Sequence, residues 1–429
     1  MVAGIIASRL SWSRAYLWMD SLCIIQDDPE DWAAESVKMC DIYSGSFLMI
    51  AATNAQNSDQ GLFALQDKIY TARAISRKDE DGTKYPLYCR SSLPHWKSKS
   101  YIDATFTPEE DFEHFPLLAR AWGYQERLLS PRVIHFSAQE LCWECNTDII
   151  CQCRLGREFS DLEGRYTRLA QTGREHGCVS NGMYAIVKEY SSLRLTYASD
   201  RLPALAGIAK QFAPLHTMHC PDESTHRQSG YIASLWEDTL LSDLLWSTHN
   251  MRCKPSTSPA PSWSWSSIDG FIYYPPEILI DSCYSIVSAT IETASDPFLS
   301  APSGHLTITA PLVTGRIDSN FTAEHSLAVQ NLALRLKNET YTISYPQLKL
   351  DYGGNGGRLQ IKEGDILSCA RLARIKQAGE QFLLLKPSER HDGFYERIGL
   401  IQLGSIDKTG LSDAERIYEG SPIMTLTVV

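Results

Sequence analysis

Several things are missing from this sequence, and each narrows what the chain does. No apolar run approaches the length of about 18 residues that a bilayer-spanning helix needs. There is no surplus of positive charge: 40 Lys and Arg stand against 51 Asp and Glu, a net charge of −11. Neutralising phosphates takes the opposite balance, so no nucleic-acid partner is expected. Neither a Gly-x-Ser-x-Gly elbow nor a phosphate-binding P-loop occurs. The opening Met1-Val-Ala-Gly-Ile-Ile-Ala-Ser8 is too short for the apolar stretch of a secretion signal, and it reaches Arg9 without a cleavage-like pattern. Without such a signal, the twelve cysteines read as reduced intracellular thiols, and a cytoplasmic location is expected. Asn320-Phe-Thr and Asn338-Glu-Thr match glycosylation sequons that a cytosolic protein leaves bare.

What is present is a chain of 429 residues, 43% hydrophobic and 21% charged. That is ordinary for a globular protein and long enough for two or three domains. Residues 16 to 25 read as a buried strand interrupted by Asp20 and Ser21. A helix then begins at an N-cap, Asp28, with Pro29 at its first position and Glu30 and Asp31 at the positive end of its dipole. Trp32, Ser36, Met39 and Tyr43 share one face of it. Residues 47 to 52 read as the next strand, which makes an α/β pattern with parallel strands. Residues 64 to 110 form a polar excursion with short strands. Leu117 to Leu129 reads as one helix stopped by Pro131, followed by strands at 133–136 and 140–145. These elements define a first unit, 1–155.

Residues 156–260 read as a mainly helical region, with helices at 184–190, 202–212 and 231–246. Pro255 to Ser262 is a Pro/Ser-rich linker, and Trp263-Ser-Trp265 alternates as a strand does. Residues 261–429 read as a β-rich domain, a sandwich or small barrel. Its strand-like segments are 306–309, 332–336, 341–345, 366–373, 382–385 and 425–429. Gly353-Gly-Asn-Gly-Gly357 precedes no helix signal and reads as a hairpin turn rather than a phosphate cradle.

Several blocks resemble one family. Leu17-Trp-Met-Asp-Ser-Leu-Cys-Ile-Ile-Gln26, Met39-Cys-Asp-Ile-Tyr43, Arg120-Ala-Trp-Gly-Tyr-Gln-Glu126 and Leu141-Cys-Trp-Glu-Cys145 look like the fungal heterokaryon-incompatibility (HET) domain. Asp200-Arg-Leu-Pro-Ala-Leu-Ala-Gly207, Tyr231-Ile-Ala-Ser-Leu-Trp236, Pro261-Ser-Trp-Ser-Trp265 and Arg397-Ile-Gly-Leu400 resemble the region that follows it. The resemblance implies non-self recognition and programmed cell death, exerted through signalling partners or self-association. It also implies a TIR-like or flavodoxin-like α/β unit. That unit is expected to be incomplete, since the family's further strand, ending in an aromatic-Trp-Gly turn, is not seen ahead of Leu17. Some TIR domains cleave NAD with a glutamate that follows a Trp on a helix. Two alternatives follow: an NAD- or nucleotide-cleaving enzyme using Glu126, with NAD as substrate and no resident cofactor, or an accessory protein of a secondary-metabolite cluster.

The residues carry their own chemistry. Trp122, Gln125, Glu126 and Leu129 share one face of the second helix, while Arg120, Gly123 and Arg127 share another. A carboxylate on an aromatic face suits stabilisation of a sugar oxocarbenium; the bland alternative is a salt bridge or cap. Asp20 ends a strand, where ligands of open α/β sheets gather, so Asp20, Gln26 and Glu126 are candidates to converge, with Trp122, Gln125 and Arg120 as ligand contacts. Alternatively, Asp20 and Gln26 satisfy backbone groups of the turn. Cys142, Cys145, Cys151 and Cys153 are weak metal candidates: the first pair has zinc-like spacing, the second does not, and strand alternation points Cys142 and Cys145 to opposite faces. His135 and His176 are candidates to complete that set. Cys23, inside an apolar run, reads as an inert buried thiol. His216-Thr-Met-His219 reads as a polar loop, and Trp263 and Trp265 as core packing.

Overall fold

The computed structural model describes residues 8, 16–78, 80–95, 113–153, 176–219, 226–248, 253–257, 259–275, 278–291, 296–299, 303–317, 332–336, 339–343, 348–351, 364–376, 378–404 and 417–429. The chain divides into two compact units, Met1–Thr167 and Arg168–Val429. The first is α/β; the second is rich in strand.

In the first unit, residues 16–19 lie outside any helix or strand and lead into a short helix, α1 (Asp20–Cys23). This corrects the strand expected over 16–25. Among the described residues the segment finds no strand to pair with, and Tyr16 and Leu22 remain 91% and 78% exposed. Asp20 instead receives the backbone N–H of Ser21 at 2.7 Å and opens the helix. Cys23 is exposed, not buried. α2 (Pro29–Ser44) forms for the expected reason: Asp28 accepts from the N–H groups of Glu30 and Asp31. Of its expected inner face, Ser36 and Met39 are buried and Tyr43 is half-buried, while Trp32 stays partly open.

β1 (Met49–Ala51) leads into the excursion, where β2 (Arg73–Lys78) and β3 (Lys84–Cys89) form a hairpin whose strands are exposed at every residue. The single helix expected from Leu117 is instead two pieces. A 3-10 turn, Pro116–Ala119, breaks at Arg120, whose backbone is extended, and α3 (Ala121–Leu129) follows. Gly123 permits that break, because a Cβ there would stand 3.0 Å from the Leu117 carbonyl oxygen. β4 (Arg132–Phe136) then pairs parallel with β1, so α3 lies on the crossover between them. β5 (Leu141–Cys145) and β6 (Asp148–Cys151) add antiparallel, giving the order β1-β4-β5-β6.

The sheet buries an ionic network. Arg127 Nε donates to both oxygens of Glu144, at 3.0 and 2.9 Å, and His135 Nε2 stands 2.6 Å from Glu144 Oε2. Thr53 Oγ1 lies 2.9 Å from His135 Nδ1. Burial first, and the nearby Arg127 charge too, hold the His135 pKa below its usual value. The imidazole is therefore neutral: Nε2–H donates to Glu144, and Nδ1 accepts from the Thr53 hydroxyl. Burial alone would raise Glu144, yet the Arg127 charge and the His135 hydrogen bond overcome it and hold the carboxylate at about 2. Arg127 thus turns to the sheet.

In the second unit, α4 (His176–Tyr190) and α5 (Pro203–Phe212) match the expected helices. The helix expected over 231–246 does not form. Tyr231–Ile232 and Leu235–Trp236 make a hairpin, turned by Ala233 and Ser234 at φ 48 and 71, and only Leu240–Asp243 is helical. Asp243 holds this arrangement by accepting from the Trp236 N–H at 2.7 Å and the Tyr184 hydroxyl at 2.7 Å. Trp263 and Trp265 are wholly buried as expected, but in a turn into the 3-10 helix Trp265–Ser267 rather than in a strand.

The expected C-terminal strands form within Gly304–Ile317, Leu332–Leu336, Glu339–Ile343, Ile366–Ile375, Gly379–Pro387 and Ile423–Val428. With Tyr395–Leu403, four of these close a ring. The pairing runs from Ile366–Ile375 through Gly379–Pro387, Tyr395–Leu403, Ile423–Val428 and Gly304–Ile317, then back to Ile366–Ile375. Leu367, Phe382, Leu384, Ile398 and Ile401 belong to its core. Residues 353–357 lie outside the described residues.

Candidate functional site

Three helices meet at Glu126. It sits on the last turns of α3 and is half-buried. Tyr43, from the end of α2, donates its hydroxyl hydrogen bond to the Glu126 carboxyl. Asp20, at the start of α1, and Arg120, at the N-cap of α3, place opposite charges close enough to act on both groups. The surroundings are aromatic. Trp18 packs edge-on to Tyr43 at 5.5 Å between ring centroids, and Trp32 meets Trp122 edge-on at 6.1 Å.

This setting determines the protonation of Glu126. Burial pushes its pKa up, from 4.5 to about 7. The hydrogen bond from Tyr43 opposes that rise, the Asp20 charge adds to it, and the Arg120 charge opposes it. Burial, and then Glu126 itself, push the Tyr43 hydroxyl far above its ordinary range, so Tyr43 is a lasting donor. A carboxyl near neutrality beside a fixed donor and a second carboxylate can take or give a proton at physiological pH.

The structure brings Asp20, Arg120 and Glu126 together. Gln26 plays the blander of its two roles: its Nε2 donates to the carbonyls of Asp20 and Ile24, at 3.2 and 3.0 Å, and so closes the turn after α1. Gln125, at 1% exposed, is more deeply buried than Glu126. Tyr43 was missed as a site residue. Its signal was available, since it lies on the inner face of α2 and inside one of the blocks that carry the family resemblance.

The cysteines regroup. Cys145 turns away, its thiol 3.3 Å from Thr147 Oγ1. Cys142 and Cys151 are paired across β5 and β6 and share an apolar cluster with Phe115. Cys151 and Cys153, the pair whose spacing looked wrong for a metal, meet His95 and Glu140 instead. His135 is engaged by Glu144 and Thr53, and the side chain of His176 lies outside the described residues. Neither missed residue had a readable signal: His95 is distant in sequence, and Glu140 precedes its strand by one residue.

The second unit holds a Ser, a His and an Asp that do not form a relay. His216 Nδ1 and Ser229 Oγ both bond Asp238 Oδ1, at 2.9 and 2.8 Å. The serine therefore shares the acid with the imidazole rather than presenting its proton to it. His216 is buried and stacked on Trp236 at 4.1 Å, so the polar loop expected there is in part a core contact.

Residues 3–126 match the family described as heterokaryon incompatibility protein (HET). The match ends on Glu126 and contains Asp20, Tyr43 and Arg120. No curated protein and no solved structure matches the chain. Among the described residues, no helix is long and apolar enough to cross a membrane.

Proposed function

We propose, from the premise that this chain carries a heterokaryon-incompatibility domain over residues 3–126, that it acts in non-self recognition and programmed cell death by contacting signalling partners. The family match is the observation that carries this reading. The exposed apolar residues Tyr16, Leu17, Leu22 and Ile25 beside α1 support it, as surface available to a partner. The parallel β1–β4 pair joined across α3 supports a TIR-like relationship, while β5 and β6 run antiparallel. Overexpression in a filamentous fungus is expected to arrest growth, and Trp122→Ala or Asp20→Ala to abolish the arrest at equal protein level. Unimpeded growth with the unaltered chain present in quantity would count against the proposal.

The geometry at Glu126 favours a second reading, hydrolysis of an N-glycosidic bond in a nucleotide such as NAD. The Glu126 carboxylate would stabilise the ribosyl cation as the nicotinamide–ribose bond breaks, and water would complete hydrolysis. Asp20 and the aromatic side chains would bound the sugar. Because the ionised form is required, NAD consumption is expected to rise with pH through about 7 and to vanish in Glu126→Gln. Absence of turnover at high enzyme concentration sinks this reading and leaves the first intact.

A further inference from the structure

Four potential metal ligands converge at the edge of the first unit's sheet, and no step of the proposed function uses them. The ligand atoms of His95, Glu140, Cys151 and Cys153 all lie within 4.8 Å of one another. Cys151 Sγ stands 2.9 Å from Cys153 Sγ, His95 Nε2 is 3.1 Å from Cys153 Sγ, and His95 Nε2 is 2.8 Å from Glu140 Oε1. We propose that these residues form a binding site for one zinc-like divalent cation, which ties the segment leaving the β2–β3 hairpin to the end of β6.

The backbone builds the site. Pairing of β5 with β6 continues one residue past the strands: Gln152 N donates to the Leu141 carbonyl, and Gln152 Oε1 accepts from Leu141 N. That register sets Glu140 beside Cys153, whose N–H donates to Glu140 Oε2 at 2.9 Å. One carboxylate oxygen is thereby fixed by the backbone and the other faces the cluster. Glu140 is only 7% exposed, and its Oε1 accepts no hydrogen bond, with the His95 ring nitrogen 2.8 Å away. A buried carboxylate oxygen without a donor is costly, and a cation is the partner that such an oxygen lacks.

The donor set selects the ion. Two sulfurs, one imidazole and one carboxylate suit tetrahedral zinc; calcium and magnesium require mostly oxygen. In tetrahedral zinc the ligand atoms stand about 3.3–3.8 Å apart. The three close pairs here, at 2.8–3.1 Å, are somewhat shorter and open by less than about 1 Å on binding, while every other pair already lies within 4.8 Å. Each thiol loses its proton as its sulfur–metal bond forms, and no electrons are transferred. All four positions are filled by protein, which makes the site structural rather than catalytic. It also accounts for a hairpin whose strands are exposed at every residue: a small element without a core of its own needs a staple.

The test uses the full chain, reduced and stripped by a chelator, then titrated with zinc chloride against a chromophoric competitor and, separately, with cobalt chloride. One zinc per chain is expected, together with the sulfur-to-cobalt charge-transfer and intense visible bands of a four-coordinate thiolate site. His95→Ala and the pair Cys151→Ser with Cys153→Ser should each weaken binding by at least about a hundredfold, and Cys145→Ser should leave it unchanged. No sulfur–cobalt bands at stoichiometric metal would overturn the proposal, a result that needs no variant to fold. So would retention of those bands in the Cys151→Ser, Cys153→Ser chain. A Cys151–Cys153 disulfide that forms equally fast with and without zinc would overturn it too, since a metal-held pair resists oxidation.

Discussion

At the scale of single residues, Glu126 costs the fold stability whenever it is ionised. Its carboxyl holds a proton more tightly in the folded chain, near pH 7, than in the unfolded chain, near 4.5. The stability this contributes is complete below pH 4.5 and is lost as pH rises through 7, where folding must enclose an ionised group. The shift corresponds to about 3 kcal/mol. Glutamine keeps the shape and can still accept from Tyr43, but it carries no charge. Urea unfolding should therefore find Glu126→Gln more stable than the unaltered chain by about 3 kcal/mol at pH 8 and nearly equal at pH 4.5. A loss of stability that is greatest at pH 8 and shrinks as pH falls to 4.5 and below would show Glu126 to be an ion-pair partner of Arg120 instead. Part of this was legible in the sequence, since helical spacing placed Glu126 on the Trp122 face. Tyr43 was legible only as an inner-face residue of α2; that its hydroxyl reaches Glu126 depends on the packing of α2 on α3, which no single helix pattern encodes.

At the scale of elements, local chemistry was readable where the chain solves its own problem. Asp28, Pro29 and the acidic first turn of α2 act within one segment, and that helix forms as they dictate. Elements that depend on a distant partner were not readable. The apolar residues of 16–25 resemble a strand, but a strand requires an edge to pair with. Residues 231–246 have helical spacing, yet Asp243 accepts from the Trp236 N–H and so favours a hairpin. The break before α3 belongs with these. Leu117 is held at both ends, its N–H on the Thr53 carbonyl and its own carbonyl accepting from Arg120 N, so it cannot retreat from a new methyl group at position 123. Gly123→Ala, which would favour an isolated helix by up to about 1 kcal/mol, is instead expected to destabilise the first unit by about 1–2 kcal/mol. Chemical denaturation followed by Trp fluorescence measures this. A gain in stability would mean that the 3-10 turn can move.

At the scale of the whole molecule, charge burial links segments far apart in sequence within the second unit. Arg397, from Tyr395–Leu403, is fully buried. Its Nε donates to Asp351 Oδ2 at 2.8 Å, while its remaining nitrogens donate to the Leu244 and Trp246 carbonyls at 2.7 and 2.5 Å. The guanidinium also lies 3.5 Å from the centre of the Trp246 ring. One side chain therefore joins the segment after Leu240–Asp243 to the closed strand ring. Arg397→Met leaves Asp351 enclosed without its counter-charge and three acceptors without donors, which should cost about 3–5 kcal/mol. Because the chain divides into two compact units, scanning calorimetry should resolve two transitions, with only that of Arg168–Val429 lowered. Adding Asp351→Leu removes the stranded charge and should restore part of the loss, since replacing both partners is far cheaper than removing one. A single transition that falls as a whole would show that the two units unfold together. An unchanged pair of transitions would show that the Arg397 network contributes no net stability.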